Sequence, residues 1–98
     1  MKRDVAIERL KPFERSLRAR GVLALYLFGS TARDEAQGTS DLDLLFDYDP
    51  ASRFSLFTQA DLMEELSGAI GAKVDLIALD GLRPAFRERA TREMVQVF

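Results

Sequence analysis

A chain of 98 residues, 47% hydrophobic and 31% charged, falls in the range of soluble globular proteins and is expected to fold as a single domain over residues 1–98. It contains neither cysteine nor histidine, which excludes disulfides, thiolate metal sites, histidine bases and Ser-His-Asp catalysis. A net charge of −2 argues against a domain built to neutralise phosphate backbones. No apolar run has leader-like or membrane-spanning character. A cytoplasmic protein with no membrane or direct nucleic-acid partner is therefore expected, and its chemistry must rest on carboxylates, hydroxyls, Lys/Arg and backbone amides.

In chain order, Ala6, Leu10, Phe13 and Leu17 recur at helical spacing and Gly21 stands where a C-cap glycine would. A helix is expected from Asp4 to Arg20, with Pro12 either kinking it or opening its second half. Val22 to Phe28 (VLALYLF) is an uncharged apolar run and reads as a buried strand. A short helix over Ser30 to Glu35 and a polar loop over 36–40 follow, then a strand from Asp41 to Phe46 closed by Asp49-Pro50. Ser55 is placed to cap a helix with an apolar stripe of Leu56, Ala60, Met63, Leu66 and Ile70, ending near Gly71. Lys73 to Leu79 reads as a third strand. Leu82, Phe86, Ala90, Met94 and Val97 form a last helical stripe with Pro84 in its first turn. The order implies an α/β (α+β) fold, a small mixed sheet covered by helices.

The charged residues of the second strand carry the chemistry. In an extended chain, residues i and i+2 share a face about 7 Å apart, so Asp41 and Asp43 stand side by side while Leu42, Leu44 and Phe46 enter the core. Such oxygen ligands suit Mg²⁺, leaving positions for water and substrate phosphates. Asp75 interrupts the apolar strand KVDLIAL, where a charge is costly unless it faces a polar cleft, and is a candidate third ligand or proton acceptor. Lys73, two residues earlier on the same face, offers it a purely structural partner instead. Gly29 lets a phosphate approach the backbone and Ser30 adds a hydroxyl and amide donors, or merely caps a helix.

Gly29-Ser30, ten intervening residues and then Asp41-Leu42-Asp43 resemble the signature of the DNA polymerase β-like nucleotidyltransferases. FGSTAR at 28–33 and SDLDLL at 40–45 are similar to the minimal members, the MntA-type antitoxins of HEPN/MNT toxin–antitoxin systems. The resemblance implies a nucleotidyltransferase core that uses ATP and Mg²⁺ and attaches AMP to a tyrosine hydroxyl of a HEPN-domain (HepT-like) ribonuclease toxin, with which it would form a hetero-oligomer. By position it assigns Gly29, Ser30 and Arg33 to the nucleotide and Asp41, Asp43 and Asp75 to catalysis and metal. Arg33 would face phosphate or brace the acidic cluster, or pair with Asp34 or Glu35. Where the family often has glycine after that arginine, this chain has Asp34, which tolerates left-handed backbone but adds negative charge near a triphosphate. That departure keeps a second function open, an antitoxin that neutralises its toxin by binding alone. Transfer to a small molecule or an RNA end is a third.

Overall fold

The computed structural model describes residues 1–35 and 41–98; the loop expected at 36–40 lies outside the described residues. The N-terminal segment is not one helix but two, α1 (Arg3–Leu10) and α2 (Glu14–Ala19), joined by a 3-10 turn over Lys11–Phe13. Pro12 falls in the first turn of the second half, where its missing N–H is not needed. Strand β1 (Val22–Phe28) leads into the single-turn helix α3 (Gly29–Ala32), and β2 (Leu42–Tyr48) follows. Helix α4 (Leu56–Ile70) starts at a capping box between Ser55 and Thr58 and ends at Gly71, whose φ of 79° continues no helix. Then come β3 (Val74–Ala78), a 3-10 turn at Leu79–Gly81, α5 (Pro84–Glu93) and β4 (Val95–Gln96).

The four strands form one mixed sheet in the order β3-β2-β1-β4. Strand β2 runs parallel to β3 and antiparallel to β1, and β4 runs antiparallel to β1. One face carries the main core, where Leu25 and Leu27 of β1 and Leu42, Leu44 and Phe46 of β2 meet Leu62, Leu66 and Ile70 of α4. The expected inward set Leu42, Leu44 and Phe46 is therefore present, but the strand begins at Leu42 rather than at Asp41. The opposite face holds a smaller cluster of Leu45, Leu79 and Ala90, with Tyr26 and Phe28 packed against it.

Three expectations need correction. Met94 and Val97 are not helical: α5 stops at Glu93, and Val95–Gln96 pair with Leu27 and Tyr26. Alternating Val95, Gln96 and Val97 suit an extended edge, and the open side of β1 supplies the partner, with Val97 N–H donating to Leu25 O at 2.8 Å. The buried stripe of α4 runs through Leu62, Leu66 and Ile70, while Leu56 and Ala60 face outward. Strand β1 is not buried throughout, since Leu23 is exposed and Tyr26 and Phe28 are half-buried. Among the described residues no helix is long and apolar enough to cross a membrane.

Candidate active site

The junction of β1 and α3 is set by one glycine. Gly29 has φ of 70°, where a side chain is strained, and a Cβ built on it would lie 2.7 Å from Asp43 Oδ2. The strand pairing explains that proximity, because Phe28 is the antiparallel register partner of Asp43. On its other side Asp43 is the parallel register partner of Asp75. Two carboxylates thus stand abreast on one sheet face, with the Gly29-Ser30 turn against the first of them. Ser30 is half-buried in α3, and its carbonyl accepts from Glu35 N–H at 2.8 Å.

Electrostatically the pair is unrelieved. Burial first, and then the charges of Asp75 and Asp41, push the Asp43 carboxyl up from its ordinary value. Among the described residues no Lys or Arg forms an ion pair with Asp43 or Asp75. Asp41 lies in the residue before β2, exposed, with its carboxylate 4.0 Å from Lys73 Nζ. Lys73 therefore leans on Asp41 rather than on Asp75. Among the described residues no three carboxylates converge closely enough to enclose a metal. The exposed Asp41–Lys73 contact is weak, and little holds Asp41 away from the other two.

The remaining candidates occupy the rim. Arg33 N–H donates to Gly29 O at 3.2 Å, closing the α3 turn, while its guanidinium pairs with Glu35 at 3.1 Å in an exposed position. Asp34 has φ of 60°, the left-handed conformation that its identity allows. Its Oδ1 accepts from the backbone N–H of Arg3 at 2.9 Å, at the start of α1. Arg3 Nη1 in turn donates to Ala32 O at 3.2 Å. The charge of Asp34 thus faces an N–H at a helix N-terminus. Arg3, 31 positions away in sequence, carried no local signal for this role. The double demand on Gly29 was equally hidden, since the sequence shows a turn glycine but not the carboxylate behind it.

A helix-covered mixed sheet that sets a Gly-Ser turn against paired strand carboxylates is the architecture of a minimal nucleotidyltransferase core. The chain belongs to the polymerase β nucleotidyltransferase family, which residues 13–98 match. It is 35% identical over 89 residues to protein adenylyltransferase MntA of Thermococcus cleftensis, covering 90% of this chain and 88% of that one. A solved candidate minimal nucleotidyltransferase superposes with a TM-score of 0.83 at 33% identity, over 97% of this chain and 95% of its own. A chain from the structure of a tri-AMPylated Shewanella oneidensis HEPN toxin in complex with MNT antitoxin superposes with a TM-score of 0.66, over 94% of this chain and 71% of its own. At 19% identity that last likeness is one of fold.

Proposed function

We propose that this chain is a Mg²⁺-dependent protein adenylyltransferase that moves AMP from ATP to a tyrosine hydroxyl of a HEPN-domain toxin and so acts as its antitoxin in the cytoplasm. The observation that carries the reading is the abreast pair Asp43 and Asp75, uncompensated by any described cation and set beside Gly29. Hard oxygen donors left in mutual repulsion are a donor set that a divalent cation fits. Asp43 and Asp75 would hold it, and Asp41 would join them on leaving Lys73. When bound, the cation offsets triphosphate charge and orients the phosphates.

The residues divide the work. The bare backbone at Gly29 and the hydroxyl of Ser30 receive the triphosphate, with Arg33 at the rim. The acceptor oxygen attacks the α-phosphorus, the bond to the β-phosphate oxygen breaks, and pyrophosphate leaves. Asp75 takes the proton of the attacking hydroxyl. In a chain without histidine a carboxylate is the available base. The carboxylate of Asp34 is held by the backbone N–H of Arg3 at the start of α1, which favours an active enzyme over inhibition by binding alone.

The test is transfer of label from α-labelled ATP to a cognate HEPN-domain toxin, to be sought in the neighbouring reading frame as a short helical protein with an Arg-x4-6-His motif and a nearby tyrosine. Transfer is expected from the wild type and lost in Asp41→Ala and Asp43→Ala. Wild-type transfer by the Asp41→Ala/Asp43→Ala double variant would sink the proposal, as would toxin neutralisation that survives in it at full strength.

A further inference from the structure

Two adjacent apolar side chains at the start of α4 have almost no cover: Leu56 is 81% and Phe57 84% exposed. Behind them lies an open groove of about 380 Å³, lined by Tyr48, Phe54, Leu56, Gln59, Ile77 and Asp80. Its floor is aromatic, with Tyr48 and Phe54 stacked at 5.2 Å. Ile77, 41% exposed, belongs to the edge strand β3. It lies two residues from Asp75 on the same face, about 7 Å along the strand. Ile77 and Leu56 line the same groove, so exposed apolar side chains form a strip from two residues beyond Asp75, at the edge of the sheet, to the start of α4, where Phe57 follows Leu56.

The edge itself does not invite an added strand. Gln59 Nε2 donates to Leu76 O at 2.7 Å, and Val74 N–H donates to Ser67 Oγ at 3.0 Å. Two backbone groups of β3 are thereby taken by side chains of α4, so whatever docks here does so through side chains. The surroundings set the charge of that partner. Asp80 lines the groove and accepts from Tyr48 Oη at 2.7 Å, Asp47 precedes Tyr48, and Asp75 ends the strip. In the sequence between 34 and 80, Arg53 and Lys73 are the only basic residues.

We infer that this strip, Ile77 with Leu56 and Phe57, is the docking surface for the protein that carries the acceptor hydroxyl, which binds by apolar side chains ringed with Lys and Arg. The inference rests on the adenylyltransferase proposal and deepens it. An acceptor hydroxyl borne on a folded protein can reach Asp75 only if that protein covers neighbouring surface, and Ile77, two residues along β3 on the same face, brings this exposed apolar surface up to Asp75. Apolar anchors inside a charged rim give affinity at the centre and steering at the edge.

The experiment is steady-state AMP transfer from MgATP to a cognate HEPN-domain toxin, comparing wild type with Leu56→Ser/Phe57→Ser. Loss of the two anchors is expected to raise the acceptor KM by about tenfold or more, with kcat at saturating acceptor held within about twofold. The wild-type acceptor KM is expected to rise with added KCl as the rim is screened. MgATP binding, followed by thermal shift, is expected to be unchanged. Should the double variant lose MgATP binding, single Phe57→Ser at the more exposed position takes its place. An unchanged acceptor KM overturns the inference while leaving the adenylyltransferase reading intact. A wild-type dimer that dissociates in the double variant overturns it in favour of self-association. Absence of transfer by the wild type removes the adenylyltransferase reading, and this surface assignment with it.

Discussion

Gly29 meets two demands that no other residue meets together: a left-handed backbone at the end of a strand and an empty volume in front of Asp43. Alanine there strains the backbone, at a cost of about 1–3 kcal/mol, and drives its methyl group into the carboxylate. Gly29→Ala is therefore expected to lower Tm and to abolish the further rise in Tm that the proposed MgATP site predicts for the wild type. Circular dichroism melts with and without MgATP check both. Asp43 behaves in the opposite way. Its raised pKa means that ionisation is less favourable in the folded chain than in the unfolded one, so its contribution to stability is full at low pH and is lost as pH rises through the folded value. At pH 7 in metal-free buffer Asp43→Asn is accordingly expected to melt above the wild type while losing transfer activity. Asp34 shows the contrary sign. The N–H of Arg3, first among its causes, holds its pKa below the ordinary value, so its contribution is present above about pH 4 and fades as pH falls. The Tm difference between wild type and Asp34→Asn is expected to be full at pH 7 and to shrink toward pH 3.

At the scale of elements, what the sequence disclosed was local and what it concealed was not. The alternation of aspartates with Leu42, Leu44 and Phe46 identified β2 and the orientation of Asp43, because period-two patterning follows directly from strand geometry. Ser55 and Gly71 marked the ends of α4 for equally local reasons. The stripe inside α4 was harder to place, since Leu56, Ala60 and Met63 fit a helical period as well as Leu62 and Leu66 do; contact with Leu42, Leu44 and Leu76 decides between them. The C-terminal strand was hidden altogether. Met94 and Val97 continue the spacing of Phe86 and Ala90, and only the unoccupied edge of β1 turns the last residues into a strand. Val97, the residue after β4 and buried at 4% exposure, closes the main core at the end of that strand, so its truncation measures what this C-terminal segment contributes. Deleting two buried carbons in Val97→Ala is expected to destabilise the chain by about 2 kcal/mol in urea unfolding, with α5 retained.

Over the whole molecule, function and stability pull against each other at one place. The core on one face of the sheet is apolar and closely covered, whereas the other face keeps Asp43 and Asp75 abreast without a described counter-cation. A fold selected for stability alone would replace one of them. On the proposed function, retaining both stores repulsion that a divalent cation and its nucleotide would relieve, and binding to the folded chain alone would then appear as added stability. With MgATP at about a hundred times its Kd that gain is about 2.7 kcal/mol, or a Tm rise of about 10–20 °C for a domain near this size. Monovalent salt offers a discriminating control, because it also weakens the Asp43–Asp75 repulsion, by screening at a Debye length of about 8 Å under physiological conditions. Screening acts without regard to geometry and gives the wild type a small, non-saturating rise in Tm that EDTA leaves in place. Coordination as proposed requires both carboxylates. The MgATP-dependent rise measured over KCl of equal ionic strength is thus expected to saturate in the wild type, to vanish on adding EDTA, and to be absent in Asp43→Asn and Asp75→Asn. A saturating rise of wild-type size in either variant would show that the nucleotide is held elsewhere on the molecule.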